Sequence, residues 1–190
     1  MAPTSRTIVQ KENPVLRGHA RNISLDEIKS DHIHDLISDM KALLAKEKYG
    51  VALAAPQVGE PIRLFVVASK ALIQRKRAAN KPKHEEDLDE EYLEGVQKTE
   101  GEVYINPELL KVSRARKDKH EGCLSVRGKW GVVSRAEKVS VRAYDENGKP
   151  FTRGASGFLA HIFQHELDHL DGILYIDKAV ELYDDEPEKD

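Results

Sequence analysis

The clearest pattern in this 190-residue chain runs from residue 31 to residue 48. There Ile33, Leu36, Ile37, Met40, Leu43 and Leu44 are apolar among mostly polar neighbours. Spacings of three and four predict an amphipathic helix with one face toward a core, ended by Tyr49-Gly50. Just upstream, Ser24-Leu-Asp-Glu27 has the form of a capping box and predicts a short helical turn. Valine, isoleucine, phenylalanine and tyrosine concentrate at 63–68 and 102–105, which predicts two strands. Residues 139–144 alternate apolar and polar, and Asn147-Gly148 follows as a hairpin turn signal. Ser156-Gly157 introduces a second helix to about Leu170, closed by Gly172, and residues 173–176 predict a last strand. There is no internal repeat. Helices mixed with hairpin-connected strands predict an α+β fold with mixed or antiparallel sheets, in one domain spanning 1–190.

Two stretches depart from this pattern. Residues 81–101 carry a dense acidic run from Glu85 to Glu94 and read as a solvated insertion between two strands. From about residue 183 the chain is acidic, and a frayed tail is expected.

Composition narrows the function classes. Charged residues make up 33% of the chain but are mixed in sign, with a net charge of -3. Nothing in that balance suits DNA or a membrane surface. No apolar run approaches the roughly 20 residues needed to cross a bilayer as a helix. The first ten residues lack the apolar stretch of a secretory signal, so cytoplasm is expected, or an organelle if a presequence was removed. Cys123 is the single cysteine, which rules out an intramolecular disulfide and leaves a thiol available for chemistry.

The chemistry concentrates in His165-Glu-Leu-Asp-His169. On a helix, residues four apart stand on one face, so these two histidines can offer nitrogens to one metal ion. Glu166, about 100° round the helix, stands where a general base for an attacking water belongs. His161 is also four residues from His165, but it lies about 12 Å along the axis from His169, too far for one ion to take all three. It reads as a bland, partly buried histidine. In one class of zinc proteases a third histidine falls ten residues after the first, and here that position is Tyr175. Glu181 downstream remains a candidate third ligand, and so does Cys123. A thiolate with two imidazoles would leave one open tetrahedral position, as catalytic sites do.

Three segments resemble, in order, the signature motifs of the peptide deformylases: Gly50-Val-Ala-Leu-Ala-Ala-Pro-Gln57, Glu121-Gly-Cys-Leu-Ser125 and Gln164-His-Glu-Leu-Asp-His-Leu-Asp-Gly172. Pro14-Val-Leu-Arg17 is similar to the family's opening strand, and the resemblance extends from about Ile8 to Asp177. It implies a metallohydrolase that takes the formyl group from the N-terminal formyl-methionine of new polypeptides and releases formate. It implies Cys123, together with His165 and His169 of a central helix, as metal ligands, and Glu166 as the acid and base. Gln57, through its amide, and Leu124, through its backbone N–H, would steady the developing oxyanion, as neutral donors do. Val51, Ala52, Gly122, Phe158 and Ile162 would contact the substrate. Phe158, Ile162, His165 and His169 share one helix face, so the methionine side chain is expected along Phe158 and Ile162. The implied metal is Fe²⁺, with nickel, cobalt or zinc as substitutes, whereas ligand chemistry alone suggests zinc. The implied partners are formyl-methionyl N-termini, with transient ribosome proximity but not through the acidic tail, which would repel RNA phosphates.

The chain departs from the motifs in three places. Ala52 stands where glycine is usual, Arg127 where proline is common, and Lys129-Trp130 replaces a stretch that often carries arginine; substrate preference is expected to reflect them. Two rival functions remain: a metalloprotease cutting internal bonds, against which Tyr175 argues, and a silent module that only captures formylated N-termini, against which Glu166 argues.

Overall fold

The structure, a computed structural model, describes residues 6–72 and 101–184. The capping box closes as expected: Ser24 and Glu27 exchange side-chain and backbone hydrogen bonds at the start of α1 (Leu25–Ile28). The amphipathic run folds as α2 (Asp31–Lys46), two residues shorter than its periodicity suggests, with the Ser30 side chain accepting from the Ile33 N–H. Ile33, Leu36, Ile37, Met40 and Leu44 form its buried face.

Five strands form one sheet in the order β1 (Ala52–Ala54), β2 (Leu64–Val67), β3 (Glu102–Val112), β6 (Lys138–Tyr144) and β7 (Pro150–Ser156). Three more, β4 (Arg116–Cys123), β5 (Val126–Ala136) and β8 (Glu181–Asp184), form a second sheet in the order β4-β5-β8. Neighbouring strands are antiparallel throughout both. Strand β2 is buried at all four positions because both of its faces are covered. Leu64 and Val66 pack with the apolar face of α2, while Phe65 and Val67 pack with α3 (Gly157–Leu170). A third cluster, built on Leu16, Val126, Val133, Leu174 and Tyr175, lies against the three-stranded sheet.

Helix α3 is therefore central, and nearly every one of its residues is buried. Its buried polar residues need partners, because an unpaired polar group out of water is costly. Gln164 finds them on β5: its Oε1 accepts from the Ala136 N–H and its Nε2 donates to the Ala136 carbonyl, each at 2.9 Å. Past the helix, Gly172 has φ +75°, and a Cβ there would meet the Arg17 carbonyl oxygen at 2.7 Å. Only glycine takes that conformation without strain at so close a backbone approach.

Four expectations about the fold need correction or restriction. Pro14–Arg17, likened to an opening strand, is a 3-10 turn whose first N–H, that of Val15, donates to the Asn13 side chain at 3.1 Å. Residues 173–176 do not form a strand; the chain makes a 3-10 turn at Tyr175–Asp177. Leu174 and Tyr175 are both fully buried in the third cluster, whereas successive strand side chains point to opposite faces. The Asp177 carboxylate accepts from the Leu174 N–H at 2.8 Å and holds the turn. Nor does the chain fray at residue 183, because Tyr183 and Asp184 belong to β8. Tyr183 sits opposite Trp130 and its hydroxyl bonds His120 Nδ1 at 2.6 Å, while Lys129 pairs with Asp184. Of the acidic insertion only Gly101 is described; its remainder and residues 185–190 lie outside the described residues. Strand β4 carried no usable local signal: Arg116-Lys-Asp-Lys-His-Glu-Gly-Cys123 shows no apolar alternation, and its pairing with β5 defines it.

Candidate active site

Helix α3 and the end of β4 bring three donors together. Among the described residues, the ligand atoms of Cys123, His165 and His169 lie within 4.8 Å of one another. Cys123 Sγ is 3.2 Å from His169 Nε2. The sequence spacing explains the geometry: His165 and His169 are one helical turn apart, their rings 4.9 Å between centroids. Cys123 arrives at a register shift in the β4–β5 pairing, where the regular ladder breaks between Glu121 and Cys123; such bulges re-aim side chains. Glu181, the other candidate third ligand, is exposed on β8 and is not part of this group. Tyr175 is committed elsewhere: its hydroxyl donates to the Lys129 carbonyl at 2.8 Å and its ring stacks near His165.

Glu121 organises the surroundings of His165. Its buried carboxylate takes His165 Nδ1 on Oε2 at 2.7 Å, which leaves the other ring nitrogen for the three-donor group. Arg135 forks onto both oxygens, at 2.6 Å and 3.0 Å, and also reaches Asp168 at 2.6 Å. His161 Nε2 meets Oε1 at 2.6 Å. His161 is thus not the bland residue its sequence position suggested: it is buried and belongs to this network. Burial alone would raise the Glu121 carboxyl, but the bonds from His161, His165 and Arg135 outweigh it and hold Glu121 ionised, well below the usual carboxylate range. Burial likewise disfavours charge on His165, yet its hydrogen bonds with Cys123 and Glu121 raise it well above an ordinary histidine. His169, fully buried and close to His165, is pushed the other way, well below an ordinary histidine.

Glu166 is buried, with Oε2 lacking a hydrogen-bond partner among the described residues. Burial pushes its carboxyl up to about 7, in the range where one group both takes and returns a proton at neutral pH; a nearby cation would lower it. Gln57 is also buried. Its Oε1 accepts from the Ala54 N–H at 2.8 Å, which turns Nε2 toward Cys123 Sγ at 3.4 Å and Ser125 Oγ at 3.2 Å.

These groups face a cleft of about 480 Å³, and the residues singled out in the sequence, Val51, Ala52, Gly122, Leu124, Phe158 and Ile162, line it. Phe158 is 42% exposed and Ile162 4%, so the first is open to the cleft and the second is also part of the core. The residues that depart from the motifs stay close: Ala52, Arg127, Lys129 and Trp130 all line the same cleft. A larger hollow of about 750 Å³ between α2 and the end of β2 contains none of the three donors.

Sequence reasoning missed the roles of Glu121, Arg135 and Asp168, because their partners come together only through the β4–β5 pairing and the packing of α3. In the structure Arg135 continues the buried series Gly131, Val133, Arg135 on β5, a place a charge can take because Glu121 and Asp168 meet it there.

The donor set fits a divalent metal. One thiol and two imidazoles converge, and one imidazole is oriented from behind by a carboxylate, the usual arrangement for a metal-ligating histidine. Residues 5–184 match the family described as polypeptide deformylase. Peptide deformylase 1A of Solanum lycopersicum, described as chloroplastic, is 39% identical over 171 residues, covering 90% of this chain and 58% of that protein. The chloroplastic and mitochondrial 1A protein of Arabidopsis thaliana is 40% identical, over 91% and 61% of the two chains. The chain thus spans about 60% of the length of these plant relatives. The peptide deformylase of Desulforudis audaxviator is 34% identical over 93% of this chain and 94% of its own. Among solved structures, the Thermotoga maritima peptide deformylase superposes with a TM-score of 0.73 at 26% identity, over 94% of this chain and 99% of that one. A class I type b enzyme of Acinetobacter baumannii, solved with Met-Ala-Ser bound, gives 0.72 at 30%, over 93% and 99%. With motifs, fold and near full-length bacterial relatives in agreement, the chain belongs to the polypeptide deformylase family.

Proposed function

We propose that this protein removes the formyl group from the N-terminal formyl-methionine of newly made polypeptides, releasing formate and a free amine. The observation that carries the proposal is the buried Glu166 carboxylate beside the Cys123, His165 and His169 donors, at a cleft of about 480 Å³.

Cys123, His165 and His169 would hold the metal, proposed to be Fe²⁺ with nickel, cobalt or zinc as substitutes. Bound there, a divalent ion supplies Lewis acidity, which makes water a nucleophile near neutral pH. The remaining work falls to side chains of this chain. Glu166 takes the proton of the attacking water and delivers it to the departing amine nitrogen, and burial suits it to both tasks. Negative charge gathers on the formyl oxygen as the carbon becomes tetrahedral. The Gln57 amide N–H₂, aimed by its bond to Ala54, and the Leu124 N–H would receive it; losing one such donor typically costs about 2.7–4 kcal/mol of barrier. Val51, Ala52, Gly122, Phe158 and Ile162 would hold the methionine end of the substrate, and exclusion of bulk water strengthens each polar contact there.

The proposed setting is the cytoplasm, or an organelle as in the plant relatives, with formyl-methionyl chains met near the ribosome. No helix among the described residues is long and apolar enough to cross a membrane. Formate release from formyl-Met-Ala-Ser by the Fe²⁺-loaded protein under anaerobic conditions tests the reading. A protein that loads metal yet releases no formate, or that cleaves internal peptide bonds of casein instead, would overturn it.

A further inference from the structure

We propose that His161 is a positioning residue for the proposed metal ligand His165, acting through Glu121. The two histidines lie one turn apart on α3 and hydrogen-bond opposite oxygens of one carboxylate: His161 Nε2 to Oε1 at 2.6 Å and His165 Nδ1 to Oε2 at 2.7 Å. Their spacing is fixed by the helix, so together they hold Glu121 at both oxygens from a rigid base.

Arg135 alone does not give that restraint. Its guanidinium also serves Asp168, which Lys178 engages from the other side, both at 2.6 Å. The arginine fork therefore answers to two carboxylates. Glu121 is the last residue in the regular β4–β5 register, opposite Gly131, and the ladder breaks just beyond it, so pairing holds its backbone from one side only. With His161 in place, the two oxygens carry four donors, which matches the lone pairs of a carboxylate. Without it, Oε1 keeps one donor, Glu121 can turn about the arginine, and the bond that aims the His165 ring loosens. Cys123, two residues along the same strand, moves with it. The His161 ring also forms part of the cleft wall, edge-on to Phe158, so its replacement opens the network to the cleft.

The inference rests on reading Cys123, His165 and His169 as the metal set, and its test keeps the two apart. Full-length protein is loaded with Co²⁺; affinity is measured by competition with a chromophoric chelator, and the thiolate-to-cobalt absorption band is recorded. Outer partners of ligating histidines are typically worth 10- to 100-fold in metal affinity. One step further out, His161→Leu is expected to weaken Co²⁺ binding about tenfold and shift the absorption band. His161→Gln, which keeps an N–H donor of similar reach, should return affinity to within about threefold of wild type. His161→Asn is too short to reach Glu121 and should behave like His161→Leu; it decides the matter if the leucine variant fails to fold. A wild-type protein that takes up no cobalt overturns the metal assignment itself. Wild-type affinity and spectrum in His161→Leu or His161→Asn, whatever the change in melting temperature, overturn only the role of His161.

Discussion

Glu121 Oε2 lies 2.7 Å from His165 Nδ1, and that bond sets which imidazole nitrogen faces the Cys123 and His169 donors. The carboxylate is buried and ionised, so the histidine meets it as a donor through Nδ1 and turns Nε2 the other way. Glu121→Gln can keep a hydrogen bond to the ring but loses the charge and one acceptor oxygen. It is expected to weaken metal binding about 10- to 100-fold, read by titration against a competing chelator. Unaltered affinity would show that His165 needs no support from behind.

Glu166→Ala is expected to retain metal and lose about two to four orders of magnitude in kcat. The carboxylate is buried with an unpartnered oxygen and stands outside the three-donor group, so the ligand set survives its removal. Metal content by elemental analysis and formate release by a coupled assay separate the two effects. A metal-free variant, or one with near wild-type turnover, would contradict the assignment.

Much of the site was legible because its chemistry sits in short contiguous motifs. His165-Glu-Leu-Asp-His169 fixes its own geometry through the helical repeat, and Gln57 needs only the local Ala54 contact to be aimed. The support behind these residues was not legible, because it depends on pairing across distance. Arg135 meets Glu121 only when β5 folds back on β4, and His161 meets it only when α3 packs beneath that sheet. The fold follows the same division. Helix α2 could be read from its apolar stripe, whereas β4, made of charged residues, is a strand because β5 lies beside it. The stretch after Gly172 misled for a related reason: Ile173-Leu-Tyr-Ile176 has strand-forming residues, but the third cluster takes Leu174 and Tyr175 together and forces a turn.

Cys123 is expected to be the thiolate of the site and its oxidative weak point. It is the sole cysteine, so no disulfide can protect it, and a deprotonated accessible thiol is the form that oxidises. The cobalt-substituted protein should show a thiolate-to-metal charge-transfer band that Cys123→Ser abolishes. Peroxide should remove the band and the activity in parallel. Absence of the band in the wild type would exclude the cysteine as a ligand.

Gly172→Ala is expected to destabilise the protein by about 2 kcal/mol through backbone strain. The position combines φ +75° with the Arg17 backbone where a Cβ would stand. It also closes the helix that carries both histidines, so the cost falls next to the site. Urea unfolding of the metal-free protein reads it directly. Gly154→Ala serves as the control, since a Cβ at Gly154 meets nothing within 4 Å. Equal midpoints for the two variants would remove the argument from close approach.

The last prediction concerns the substrate's first side chain. Phe158 and Ile162 continue the helix face of His165 and His169, and both line the cleft together with Val51 and Ala52. A methionine lying along that face buries an unbranched, adaptable chain against apolar neighbours. Each buried CH₂ is worth about 0.8 kcal/mol, so formyl-Ala peptides should lose roughly 2–3 kcal/mol in kcat/KM against formyl-Met peptides. Ile162 also belongs to the core, so its replacement confuses specificity with folding. Phe158 is the cleaner probe because it is largely open to the cleft. Phe158→Ala is expected to shrink the preference for methionine by about 1 kcal/mol while metal content and melting temperature stay near wild type. If the wild type hydrolyses formyl-Ala and formyl-Met peptides equally well, the methionine side chain does not lie along this face, and the cleft is selecting on the peptide backbone alone.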